Sequence, residues 1–327
     1  MRPAAKLLVR FAVSLGLLVF LYSRLDWAQV WDMLGRAELV YLPVLILIMM
    51  ASRVWMAWKW RMLLRAIAPA PGLYDAVRVY YMSSFQGLLL PLGGLGPDLV
   101  RYVHLRFSGA SPQAVAASIV LERLVGLLAT LTVTAVSIGL LLLQLDVSLV
   151  PVESGIVWGG TLFAFVLGAL LFCKPLQRWL YGCLKHGRPF RQFSRFQSFI
   201  DTLKQYQVQQ RIILINYGLS AAEQLFPVLS FYLGFRMFHV PVPFIMCLAV
   251  LPLGMLLQRL PIGYAGIGIR EGALVFLFGL LGISYADVLV VSTMMFVFFL
   301  FSLLPGVVWS VKATPAQVED DSQSVSA

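Results

Sequence analysis

Apolar residues run along this chain in long stretches that short polar segments interrupt. About 20 apolar residues suffice for a helix to cross a bilayer, and six stretches approach or exceed that length: 5–22, 39–57, 113–143, 155–173, 211–234 and 285–310. Two further apolar stretches, about 73–107 and 243–282, bend at glycine-rich turns and do not fit as single spans. The pattern predicts an all-α polytopic membrane protein with about six full transmembrane helices and two re-entrant helical hairpins.

The two glycine-rich bends resemble each other. The first reads PLGGLGPDLVR from Pro91 to Arg101, and the second reads PIGYAGIGIRE from Pro261 to Glu271. Each bend is followed by Gly-x-Ser ahead of another long apolar run. Three predicted spans separate the copies, and an odd number of crossings turns the second copy upside down. We therefore predict an inverted repeat, with cores at about 73–143 and 243–310, within one integral membrane domain of residues 1–312.

Composition supports the membrane assignment and excludes a soluble class. Of 327 residues, 60% are hydrophobic and 12% are charged, whereas a soluble domain carries about 25% charged residues. The alternating segments of about ten residues that mark a transmembrane β-barrel are not evident in the sequence. Helices remain as the spanning structure, because a membrane-spanning backbone must satisfy its own hydrogen bonds.

The net charge of +10 is concentrated in loops. With the N-terminus in the cytoplasm, most Lys and Arg residues of the soluble segments fall inside, and the external loops hold Arg24, Arg36 and Arg236. The positive-inside rule then places both termini in the cytoplasm, and we expect a bacterial inner membrane. Basic loops facing anionic lipid make a nucleic acid partner unnecessary. We expect an interfacial helix in the cytoplasmic loop 174–210 and a disordered tail, 313–327.

Ionisable residues at membrane depth are costly and usually face a pathway or pair with one another. We take as candidate substrate-binding residues Asp98, Arg101, Glu122, Arg123, Glu223, Arg259, Arg270 and Glu271. The candidate turn residues are Pro91, Gly93, Gly94, Gly96, Pro261, Gly263, Gly266 and Gly268. Adjacent helical residues point about 100° apart. We therefore expect Glu122 or Arg123 to face the Asp98–Arg101 hairpin, and Arg270 and Glu271 to meet equivalent partners in the other half.

Simpler readings of the same residues stay open. The glycines can serve close helix packing alone, and the ion pairs can lock the fold without touching cargo. Arg53 and Arg259 lie near predicted interfaces, where long side chains snorkel towards water, and Asp287 can cap the last span. We prefer the interpretation that the two bends line a polar cavity, because non-helical backbone at membrane depth must face protein or water. Paired broken helices in the two halves of a membrane protein point to a central binding site.

The sequence lacks the common catalytic signatures. It contains no HExxH, G-x-S-x-G, Walker or CxxC motif, and its three cysteines are scattered. We expect no cofactor, no metal site and no enzymatic activity.

Two segments resemble the flippase-like transmembrane domain of lysylphosphatidylglycerol synthases. They are LLLPLGGLGPDLVRYVHLRFSGASPQAVAASIVLERLVGL and LPIGYAGIGIREGALVFLFGLLGISYADVLVVS, and the resemblance covers about residues 5–312. It implies movement of lipid between leaflets, and we expect the stand-alone form, without a soluble aminoacyl-transfer domain. Some stand-alone relatives are linked to hopanoid or glycolipid pathways, so the expected cargo is a phospholipid, an aminoacyl-phospholipid, a glycolipid or a hopanoid.

Three functions compete at this stage. The first is a lipid transporter that passes a polar headgroup through a central cavity. The second is an anion channel or exchanger, by analogy with the glycine-arginine-glutamate-glycine motif of chloride channels, which Gly268 to Gly272 resembles. The third is a membrane subunit or enzyme of lipid glycosylation. The expected partners are membrane lipids, with a lipid-synthesising enzyme and a second copy of the chain as further candidates.

Overall fold

The computed structural model describes residues 3–90, 93–105, 110–144, 166, 168, 194–206, 209–258 and 268–312. Within these ranges the chain is built from helices and contains no strand. Four helical stretches there are long and apolar enough to cross a membrane: Tyr41–Arg65, Pro112–Leu140, Gln210–Met237 and Tyr285–Lys312. The protein is therefore an all-α, multi-pass membrane protein, as the sequence predicts. The full number of spans and the re-entrant character of the hairpins stay predictions.

Twelve α-helices lie in the described ranges. In chain order they are α1 (Pro3–Tyr22), α2 (Trp27–Gly35), α3 (Tyr41–Arg65), α4 (Leu73–Leu89), α5 (Gly96–Leu105), α6 (Pro112–Gln144), α7 (Ser194–Gln205), α8 (Gln210–Glu223), α9 (Leu225–Met237), α10 (Phe244–Leu257), α11 (Ile269–Leu280) and α12 (Tyr285–Ser302). A 3-10 turn, Gly93–Leu95, lies between α4 and α5 and directly precedes α5. After a turn at Leu303 the last helix resumes and reaches Lys312.

Five of the six predicted spans coincide with described helices, with two informative differences. The second span continues well past residue 57, because no proline or glycine lies between that position and the end of α3 at Arg65. The fifth span is interrupted, since α8 ends at Glu223 and α9 begins at Leu225, two residues before Pro227. The predicted fourth span, 155–173, lies almost entirely outside the described residues.

The first hairpin packs α4 against α5 at very short range. A Cβ on Gly87 would lie 2.3 Å from the backbone nitrogen of Pro97, and a Cβ on Gly96 would lie 2.4 Å from the carbonyl oxygen of Gly87. Only glycine permits this approach, so Gly96 has a packing role. Gly94 differs, because nothing would lie within 4 Å of its Cβ.

The second hairpin consists of α10 and α11, which also cross closely. A Cβ on Gly254 would lie 2.6 Å from the side chain of Leu274. Gly268 precedes α11 with a φ of +84°, a left-handed conformation that favours glycine. Four predicted residues of this bend lie outside the described residues, namely Arg259, Pro261, Gly263 and Gly266, as does Pro91 in the first bend.

Each hairpin packs against the long helix of the other half. Helix α10 lies along α6, and α4 packs against the C-terminal part of the last span. There a Cβ on Gly306 would lie 2.5 Å from the carbonyl oxygen of Tyr81, and the amide of Gln86 donates to Ser310 at 3.1 Å. The order of the helices is the same in the two halves. A hairpin helix and a long helix follow each other in both, namely α5 and α6 in the first half and α11 and α12 in the second. The inverted orientation of the two copies stays a prediction.

The basic loop contains the short helix α7, within the predicted interfacial segment. Phe199 on this helix packs against an apolar cluster that includes Leu63, Leu121 and Ile213, and the neighbouring Ile200 is buried. This face of α7 therefore packs on protein, and the position of the segment on the inner leaflet is untested.

Candidate functional site

A cavity of about 370 Å³ lies between the two hairpins and the helices that cross them. Its wall combines residues from both halves of the chain, and many are charged or polar. The lining residues that bear on function are Ser52, Arg53, Tyr80, Gly94, Asp98, Arg101, Arg123, Glu223, Gln224, Gln258, Arg270, Met295, Phe296 and Phe299. Ligand pockets in proteins typically have volumes of about 300–1,000 Å³, so the cavity is large enough for a small ligand or a headgroup.

Four charges from α5 and α6 form a connected network at one side of this cavity. Arg101 lies 3.1 Å from Asp98 and 2.8 Å from Glu122, while Arg123 lies 2.8 Å from the other oxygen of Asp98. Arg123 also donates to the carbonyl oxygen of Gly94 at 3.0 Å. The predicted contact of Glu122 and Arg123 with the Asp98–Arg101 hairpin is therefore confirmed.

The guanidinium group of Arg101 is held from several directions. Only 2% of the residue is exposed, and its Cζ lies 4.9 Å from the ring centres of both Trp60 and Tyr80. The hydroxyl of Tyr80 in turn donates to Glu122 at 3.3 Å, and the indole of Trp60 donates to Ser118 at 3.1 Å. This environment keeps a buried cation in one orientation, with aromatic faces adding cation–π attraction.

Glu223 has a counter-ion that the hydropathy pattern conceals. Its carboxylate forms an ion pair with Lys59, and the ammonium group also donates to Ser220 at 2.9 Å. Lys59 is 2% exposed and lies within α3, although the apolar stretch that predicts this span ends at residue 57. One feature of the sequence indicates that Lys59 is buried. Trp58 and Trp60 lie on either side of it, and no proline or glycine separates them from the preceding apolar residues.

Glu223 and Gln224 also mark the interruption between α8 and α9. The amide of Gln224 donates to Thr130 on α6 at 3.0 Å, and both residues line the cavity. The break therefore brings a carboxylate and an amide to the cavity wall.

Arg270 and Glu271 are arranged differently from the expectation. Among the described residues they form an ion pair with each other, and neither has an ion-pair partner on another hairpin. Glu271 folds back to accept from the backbone N–H of Gly268 at 2.8 Å, which places the carboxylate beside Arg270. On helix α12, Arg270 meets the carbonyl oxygen of Ser292, at 3.4 Å, and the ring of Phe296, whose centre lies 5.1 Å from the guanidinium carbon.

Arg53 lines the cavity on α3, and the snorkelling reading does not describe it. Its Nε atom is buried without a hydrogen-bond partner among the described residues, and its Nη1 atom lies 3.9 Å from the sulfur of Met56. The guanidinium carbon lies 4.9 Å from the ring centre of Phe299. Asp287, by contrast, lies in the first turn of α12, whose N-cap is Ser284.

The fold and the cavity define a class: a multi-pass α-helical membrane protein in which two helical hairpins enclose a charge-lined cavity. Within that class the chain belongs to the family described as the lysylphosphatidylglycerol synthase TM region, whose model matches residues 7–306. The match covers nearly the whole chain and relates the protein to membrane lipids. A comparison with curated proteins finds no match.

Proposed function

We propose that this protein moves a lipid with a polar headgroup between the two leaflets of a membrane. The headgroup passes through the cavity while the acyl chains stay in the surrounding lipid. One observation carries the proposal: charged side chains from both halves of the chain line a single cavity between the hairpins. Family membership supports the link to lipids, and the lipid type is part of the proposal.

The charges give the cavity a means of replacing lost hydration. A headgroup that leaves water needs hydrogen-bond donors and opposite charges along its path. Arg123 is suited to this, since 40% of its side chain is accessible although Asp98 and Gly94 hold it. Arg101 and Glu122 are much less accessible, and we assign them the role of holding Asp98 and Arg123 in place.

The proposal includes the cell context. We place the protein in a bacterial inner membrane with both termini in the cytoplasm, and we assign it no catalytic step. Its cargo is a phospholipid, an aminoacyl-phospholipid, a glycolipid or a hopanoid with a polar headgroup, made by a separate enzyme.

The test is transbilayer movement in proteoliposomes. A panel of lipids with a fluorescent acyl chain is incorporated, and a membrane-impermeant reductant then quenches only the outer leaflet. Wild-type protein should expose the inner pool of at least one lipid. Arg123→Gln should slow that movement about tenfold or more, because a lost charge-assisted hydrogen bond has that effect.

The control for this variant is Arg36→Gln, at an exposed arginine that pairs with Asp32 outside the cavity. It should move lipid at the wild-type rate and insert equally well. Movement no faster than in protein-free vesicles, across the whole panel, would contradict the proposal.

An anion channel is the second candidate, because the cavity wall carries arginines on α3, α5, α6 and α11. Chloride or phosphate flux in the same vesicles, without lipid movement, would favour it.

A further inference from the structure

The arginines of the cavity wall differ in how their charges are compensated. Arg101, Arg123 and Arg270 each lie within 3.1 Å of a carboxylate. Arg53 has no carboxylate partner among the described residues, although it lines the same cavity. Its surroundings there are the thioether of Met56 and the ring of Phe299.

The nearby acid of the cavity wall is already engaged. Glu223 is paired with Lys59, which is more deeply buried than Arg53, and the same ammonium group also donates to Ser220. Ser52, beside Arg53 in the chain, donates its hydroxyl proton to the carbonyl oxygen of Met49 at 2.7 Å. Arg101 and Arg270 also have buried N–H groups without a hydrogen-bond partner among the described residues, but a carboxylate compensates the charge of each. Arg53 differs from them because no carboxylate of the described residues pairs with its guanidinium group.

A buried cation without a partner is unfavourable, so buried charges in proteins are paired. We propose that Arg53 is an anion subsite, and that its ligand is a phosphate group. A planar guanidinium presents parallel N–H donors that match two oxygens of a phosphate. The thioether of Met56 and the ring of Phe299 lie beside Arg53 in the cavity wall and suit an apolar part of the ligand, as a lipid phosphodiester would supply.

This inference deepens the proposed function by naming the phosphate of a headgroup as the recognised part. It rests on that function only for the lipid source, because an anion subsite could also hold free phosphate. Binding can be measured without transport, so the two ideas can fail separately.

The experiment titrates full-length protein in a neutral detergent with three ligands by calorimetry. They are dioctanoyl phosphatidylglycerol, dioctanoylglycerol without a phosphate, and inorganic phosphate. We expect wild-type protein to bind the phospholipid and not the phosphate-free lipid. Arg53→Gln should weaken that binding roughly 10- to 100-fold, as expected for a hydrogen bond to a charged group, while Arg36→Gln leaves it unchanged.

The third ligand identifies the source of the phosphate. If inorganic phosphate binds as tightly as the phospholipid and Arg53→Gln weakens both, the ligand is a free anion and the subsite stands. If Arg53→Gln binds both ligands as tightly as wild type does, or if dioctanoylglycerol binds as well as the phospholipid, the inference is wrong. If the protein binds the phospholipid through Arg53 but moves no lipid in vesicles, the proposed function is wrong and the anion subsite stands.

Thermal stability separates an anion subsite from a structural role of Arg53. Without ligand, Arg53→Met should unfold at the wild-type temperature or above it, because the substitution removes an unpaired buried charge. Added phospholipid should raise the unfolding temperature of wild type and not that of Arg53→Met. A large drop for the ligand-free variant would show that Arg53 holds the fold instead, and would overturn the inference.

Discussion

Neutralising Glu122 tests whether the four-charge network stabilises the fold. Glu122 and Arg101 are both buried, and their charged atoms lie 2.8 Å apart. Glu122→Gln keeps the size of the side chain and removes its charge. Arg101 then retains only Asp98, which it shares with Arg123.

The expected decrease in the free energy of unfolding of Glu122→Gln follows from two opposing contributions. At 2.8 Å and an effective dielectric constant of about 20, the attraction amounts to about 6 kcal/mol. Removing the charge also removes the cost of burying it, which is several kcal/mol. Breaking a buried pair from one side costs about 3–5 kcal/mol. We expect the lower end, about 3 kcal/mol, because the amide still accepts a hydrogen bond and Asp98 still compensates Arg101 in part.

The assay is equilibrium unfolding in mixed micelles with increasing denaturing detergent, followed by far-ultraviolet circular dichroism. Glu38→Gln is the control, because that carboxylate is exposed and lies 3.4 Å from an exposed His239. An exposed pair contributes at most about 1 kcal/mol. If Glu122→Gln destabilises the protein no more than Glu38→Gln does, the network does not hold the hairpin against α6.

Three further predictions use the same assay. Gly87→Ala should destabilise the protein by several kcal/mol, because the added Cβ would lie 2.3 Å from the backbone of Pro97. Its control is Gly126→Ala, which should be neutral or stabilising by about 0.5–1 kcal/mol because the space at its Cβ is open. Equal effects would contradict the close crossing. Lys59→Met should cost about 3–5 kcal/mol, and adding Glu223→Gln should restore part of that loss; strictly additive effects would mean that the two residues do not interact. Gly306→Ala should loosen the contact between the halves, seen as faster amide exchange in α4, and unchanged exchange would argue against it.

The sequence predicts the arrangement of α5 and α6 because the reasoning depends only on helical geometry. Glu122 and Arg123 are neighbours in one helix and point in different directions, so each requires a partner elsewhere. Asp98 and Arg101 lie one turn apart on the preceding helix, which makes them suitable partners. The same logic fails for Arg270 and Glu271, because Glu271 caps its own helix and stays beside its neighbour.

Lys59 and Arg53 show where hydropathy reasoning reaches its limit. The apolar window ends near residue 57, so the pattern places Lys59 in a loop, although the helix continues to Arg65. Its burial depends on Glu223, which lies 164 positions further along the chain. No local pattern reports such a contact, and the same holds for the cavity wall around Arg53.

The two halves hold their hairpins by different means. Counted from the first residues of α6 and α12, Met295 and Phe296 occupy the positions of Glu122 and Arg123. The first hairpin is therefore tied to its long helix by two ion pairs between helices. Among the described residues, the second is joined to α12 by a shared apolar cluster that includes Phe278 and Val291, by a hydrogen bond of 3.4 Å to a carbonyl oxygen and by stacking of Arg270 on Phe296. Breaking a buried ion pair from one side costs about 3–5 kcal/mol, so we expect α5 to stay fixed on α6 and α11 to shift against α12 in the proposed transport cycle. The cavity would then open on the side of the second hairpin, with Arg123 and its partners as the stationary wall.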